Sequence, residues 1–165
     1  MSKAATIRPA ELADSEAIAD IYNWYIENTT ISFEEQEVTA KEMESRMCFD
    51  DDTQPWLVME EAGEVIGFAS AALWKPRSAY RFSREVSIYL KPGATGQSYG
   101  RQLYTRLMDL MRETPIHLLI AGIALPNPAS IKLHESLGFT SVGTFKEMGF
   151  KFGERLDVGY WQLEL

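Results

Sequence analysis

The chain has 165 residues, 45% of them hydrophobic and 24% charged, an ordinary composition for one folded domain over residues 1–165. Twenty-four acidic residues against 16 basic ones give a formal net charge of −8. This argues against a nucleic-acid partner and leaves any anionic ligand dependent on local donors. One cysteine, Cys48, excludes an internal disulfide, and with only two histidines a zinc site of usual composition is not expected. No apolar run approaches the ~20 residues of a membrane span, and MSKAATIRPAELAD lacks the apolar core of a signal peptide. The expectation is no metal, no membrane partner and a cytoplasmic location.

In chain order, ATIRP (5–9) reads as a short strand. ADSEAIADIYNWYIENT follows, with Ile18, Ile21, Tyr22, Tyr25 and Ile26 at helical spacing and Asp14 as the expected N-cap. TAKEMESRMCF (39–49) predicts a second helix, with Thr39 and Glu42 forming a capping box. PWLVMEEAGEVIGFASAALW (55–74) predicts a hairpin turning near Ala62-Gly63. REVSIYL (84–90) is a further strand, then a loop, then a helix over about 98–112. HLLIAGIAL (117–125) is short enough for a buried strand. NPASIKLHESLGF (127–139) is a helix with Asn127 as cap, Pro128 at its first position and Gly138 at its end. The remainder predicts two antiparallel strands around Gly153, giving the order β-α-α-β-β-β-α-β-α-β-β.

Four places carry chemistry. The loop KPGATGQSYGRQL (91–103) runs from a strand into a helix start, whose free N–H groups and dipole favour a phosphate. Gly96 and Gly100 permit close backbone approach there, and Arg101 and Gln97 add donors. A glycine turn joining two elements is the plainer alternative. Asn127, Ser130 and His134 are spaced 0, +3 and +7 and share one helix face. Glu85, Ser87 and Tyr89 alternate with Val86, Ile88 and Leu90 along one strand. Glu85 is either part of a solvated face or a carboxylate able to take a proton from a substrate. WKPRSAY (74–80) places Lys75, Arg77 and Tyr80 in a loop, and an arginine can hold a carboxylate or phosphinate in a two-bond fork.

Together, IYNWYIENTTISFEEQ, PWLVMEEAGEVIGFA, WKPRSAY, EVSIYL, ALPNPASIKLHESLGF and GFKFGERLDVGYWQLEL resemble the GNAT acetyltransferases. Within that superfamily they resemble the phosphinothricin N-acetyltransferase family and its methionine sulfoximine and methionine sulfone relatives. The resemblance implies an α/β (α+β) fold, with a mixed central sheet splayed at its fourth strand and flanked by helices. It implies acetyl-CoA as donor, a small amino-acid-like amine as acceptor and a homodimer. Carried over residue by residue, it makes Glu85 the general base and His134 a second catalytic residue. Ile88, Tyr89 and Leu90 would pair with the cofactor's pantetheine, and Gly96, Gln97, Ser98, Tyr99, Gly100 and Arg101 would hold its pyrophosphate. Asn127 and Ser130 fall near its thiol end. Phe33, Lys75, Arg77, Tyr80 and Ser87 would bind the acceptor. The family's phosphate loop reads Q/R-x-x-G-x-G, whereas Thr95 and Ser98 stand here in place of its leading residue and first glycine. An acyl-CoA-binding domain without turnover and an enzyme acting on peptides or other amines are the competing readings.

Overall fold

A computed structural model describes residues 4–94 and 98–165. Its elements run β1 (Thr6–Pro9), α1 (Ser15–Asn28), α2 (Ala40–Arg46), β2 (Trp56–Glu61), β3 (Glu64–Leu73), β4 (Ser83–Leu90), α3 (Tyr99–Arg112), β5 (Leu118–Ala124), α4 (Pro128–Ser136), β6 (Thr140–Lys151) and β7 (Glu154–Glu164). The order matches the one expected from the sequence. The β2–β3 hairpin closes at Ala62 and Gly63, both with positive φ (52° and 84°), the handedness that matches the twist of paired strands.

Two local expectations need correction. Asp14 precedes α1 but makes no side-chain cap to it. Its carboxylate instead accepts from the Glu11 N–H at 2.8 Å and from both terminal nitrogens of Arg8 at 2.8 and 2.9 Å. The nearby guanidinium wins the carboxylate because a charge-assisted pair is stronger than a neutral cap. The second helix ends at Arg46, before residue 49, where Met47 turns to extended backbone and its side chain is buried. Its start is as expected: Thr39 Oγ1 accepts from the Glu42 N–H at 3.1 Å, and Glu42 accepts from the Thr39 N–H at 2.8 Å.

The strands form one seven-stranded sheet in the order β1-β2-β3-β4-β5-β7-β6. Leu57, Met59, Ala69 and Ala71 pack on the α3 side with Leu103, Tyr104, Leu107 and Met111. Their neighbours Val58 and Phe68 face the other side and pack with Ile18, Ile21, Ile26 and Met43 of α1 and α2. This is the period-two alternation of a sheet buried on both faces.

The joint between β4 and β5 is the sheet's parallel pair, and it spans only Ser83–Glu85 against Leu118–Ile120. Beyond it, Val86 to Leu90 pair with β3 alone, and Ala121 to Ala124 pair with β7 alone. The sheet therefore opens into a V whose arms start from Glu85 and Ile120.

Candidate active site

A cleft of about 550 Å³ fills the opening of the V. Glu85, Ser87, Ile88 and Tyr89 line it from β4, and Asn127, Ser130 and His134 from the start of α4. Phe33 contributes from the α1–α2 connection. Residues far apart in sequence thus share one cavity, which helix and strand spacing alone did not require.

Glu85 is the last β4 residue paired with β5, opposite Ile120, and it is half-buried. Burial pushes its carboxyl above the usual carboxylate range, while Lys75 pulls it back. Among the described residues, the β4 edge from Val86 onward has no strand neighbour on the cleft side, so its backbone groups can pair with an extended ligand. At the end of that edge the Leu90 carbonyl accepts from the Tyr25 hydroxyl at 2.6 Å.

At α4, Asn127 caps the helix by accepting from the Ser130 N–H at 3.2 Å. His134 is 3% exposed. Its Nδ1 lies 2.7 Å from the Ser130 carbonyl, which can only accept, so Nδ1 carries the proton. Its Nε2, 3.1 Å from the Tyr104 hydroxyl, is then an acceptor. Burial pushes the imidazole's pKa down, partly offset by that carbonyl, and raises the pKa of the Tyr104 phenol. Both rings are held neutral. Tyr104 lines the cleft but escaped the sequence reading, because an aromatic residue on the apolar face of α3 reads as core.

Tyr22, Ser32 and Glu34 complete the wall formed by the N-terminal half of the chain. The Tyr22 hydroxyl is hydrogen-bonded to Glu34. Arg46 grips both Glu34 oxygens at 2.9 and 2.6 Å, holding that carboxyl below its usual range.

The other expected site residues are placed differently. Lys75, Arg77 and Tyr80 are exposed in the β3–β4 connection and do not line the cleft. Near its end β3 places Ala72 opposite Glu85 and Leu73 opposite Arg84, so this basic loop begins close to the carboxylate. Gly96 and Gln97, with Thr95, lie outside the described residues. Ser98 takes a left-handed conformation (φ 59°, ψ 19°) at the N-cap of α3. The Tyr99 side chain turns into the core, and its hydroxyl donates to Glu61 at 2.6 Å. A Cβ at Gly100 would meet Leu133, Leu90 and Ile88 no closer than 3.5 Å. Arg101 reaches across to Ser136 Oγ at 3.0 Å. Among the described residues no group of three or more histidine, cysteine or acidic side chains could hold a metal ion.

A left-handed serine carries a strain that glycine does not. Ser98→Gly should therefore raise stability, by up to about 1 kcal/mol net of the added chain entropy, read as the shift in a urea unfolding midpoint.

The acetyltransferase (GNAT) domain family matches residues 7–159. A phosphinothricin N-acetyltransferase of Streptomyces viridochromogenes is 40% identical over 156 residues, 94% of this chain and 85% of that protein. A methionine sulfoximine/methionine sulfone acetyltransferase of Salmonella typhimurium is 38% identical over 164 residues, 97% of this chain and 94% of that protein. The crystal structure of a phosphinothricin acetyltransferase from Sinorhizobium meliloti in complex with acetyl-CoA superimposes with a TM-score of 0.93. It is 37% identical and covers 99% of this chain and 89% of its own. With the splayed sheet and its cleft, these matches place the chain in the GNAT acetyltransferase family, in the branch that holds the phosphinothricin and methionine sulfoximine enzymes.

Proposed function

We propose that the protein transfers the acetyl group of acetyl-CoA to the amine of a small acidic, amino-acid-like acceptor, with Glu85 as general base. The observation that carries this reading is the position of Glu85, half-buried where β4 and β5 part and facing the cleft. Burial brings its carboxyl closer to the pKa that suits proton abstraction from an ammonium group. The neutral amine then attacks the thioester carbonyl. The C–N bond forms, the C–S bond breaks, and the nitrogen's second proton ends on sulfur. N–H groups of the open β4 edge are suited to the charge that grows on the carbonyl oxygen. His134, fixed as a neutral ring between Ser130 and Tyr104, orients the reactants.

Acetyl-CoA suits the residues present. The Ile88–Leu90 edge offers backbone to an extended pantetheine arm, and the dipole at the start of α3 favours a phosphate. Among the described residues lining the cleft there is no lysine or arginine. An acidic acceptor group must therefore reach the loop bearing Lys75, Arg77 and Tyr80, while Phe33 and Ser87 contact the rest of the molecule. A free-thiol assay with acetyl-CoA and phosphinothricin, methionine sulfoximine, methionine sulfone, a polyamine and a short peptide tests the reading. Release with one of the first three supports it. Saturable acetyl-CoA binding without release from any acceptor would favour a binding domain instead. Acetyl-CoA is an intracellular thioester, so the reading carries a cytoplasmic location with it.

We also propose a homodimer. β6 lies at the edge of the sheet; Phe145, Met148 and Phe150 along it, and Phe152 in the turn that follows, are all more than half exposed. An apolar edge of this length is covered in a stable protein or it aggregates. Sedimentation should give twice the chain mass, and Phe150→Asp should shift it toward one chain mass.

A further inference from the structure

Among the described residues the arms of the V are hydrogen-bonded as strands only at Ser83–Glu85. A second crossing links the α1–α2 connection to β6. The Lys151 side chain is 1% exposed, and its ammonium donates to the Ser32 carbonyl at 2.7 Å. Two residues earlier on β6, Gly149 lies under the ring of Phe33. A Cβ built on Gly149 would stand 2.4 and 2.5 Å from Phe33 Cε2 and Cζ. Phe33 is 40% exposed and lines the cleft.

The two contacts lie just past a bulge. β6 gains residues between Phe145 and Gly149, where Glu147 turns left-handed (φ 52°) and its N–H donates to Asp157 Oδ1 at 2.8 Å. Past the bulge, Gly149 and Lys151 are buried while Met148 and Phe150 are exposed. Burying an ammonium is costly. Here it is met by one carbonyl, by the Phe152 ring 5.0 Å away and by the field of Glu35 and Glu34. From the other side, the Ser32 hydroxyl donates to the Tyr22 hydroxyl at 3.0 Å, and Arg46 grips Glu34. Residues 32–34 are thus pinned from both arms, with Phe33 between the pins.

We propose that Gly149 and Lys151 are positioning residues for the acceptor. Gly149 gives the Phe33 ring its seat, Lys151 locks the backbone beside it, and together they set the room left for the acceptor. The inference rests on the reading that Phe33 contacts the acceptor. Gly149→Ala pushes the ring into the cleft without needing the backbone to move. It should raise the acceptor's KM about tenfold, the effect of roughly 1.4 kcal/mol, and leave the KM for acetyl-CoA unchanged. In a Phe33→Ala background the same substitution should have no effect, because contacting residues couple. In Lys151→Met, amide exchange over residues 30–37 should rise at least about tenfold, with α3 unchanged. Equal shifts in both KM values, full additivity with Phe33→Ala, or unchanged exchange in Lys151→Met would each overturn the proposal. If the wild-type protein acetylates no acceptor, the functional reading fails, and the exchange experiment still decides whether the lock exists.

Discussion

Glu85→Gln is expected to lower turnover by about 10²- to 10⁴-fold, the usual worth of a positioned base, with acetyl-CoA affinity unchanged. The same substitution should make the protein more stable at neutral pH. Burial raises the Glu85 carboxyl's pKa in the folded state, so its favourable share of stability is complete below the unfolded value and is lost as pH rises through the folded one. Glutamine removes that loss. Thermal midpoints of the variant and the wild type should therefore separate near neutrality and converge at about pH 4 and below. A variant with full turnover would remove Glu85 from the mechanism. A variant that is inactive but no more stable would mean that the carboxylate's burial is compensated by groups other than Lys75.

His134→Ala carries the second large effect, a stability loss of about 3 kcal/mol. It leaves a cavity and strips partners from the buried Tyr104 hydroxyl and the Ser130 carbonyl. Tyr104→Phe alone should cost about 1–3 kcal/mol, because Nε2 is left buried without a donor. Added to His134→Ala it should cost little more, since the orphaned hydroxyl goes with it. Urea unfolding of the four proteins in this cycle measures the coupling. The histidine also shapes pH dependence. Its folded pKa is depressed, so its contribution is present above the ordinary histidine value of 6.5 and fades as pH falls below it. The His134→Ala variant should lack that slope.

The element order was legible because apolar spacing and end signals agreed along the chain. Thr39 with Glu42 and Asn127 with Pro128 marked helix starts that the structure keeps. Glu85 and the Asn127, Ser130, His134 face were visible as chemistry, and resemblance brought them into one site. What escaped depends on contacts between distant segments. Asp14 had every feature of a cap, but Arg8 took its carboxylate. Tyr104 meets His134 thirty positions away. Lys151 meets Ser32 across 119 positions, and nothing in the local β6 pattern marks it as buried, because residues 140–148 before it are all exposed.

β7 follows β6 in the chain yet lies between β6 and β5 in the sheet. During synthesis, β5 and the far wall of the cleft therefore lack their main partner until residues 154–164 emerge. Until then β6 has no neighbour in the sheet, and Gly149 and Lys151 have no fixed strand from which to reach Phe33. The nascent chain can assemble β1 to β4 with α1 to α3, but not both arms of the cleft. Acetyl transfer becomes available only after β7 has paired with β5 and brought β6 into the sheet beside it.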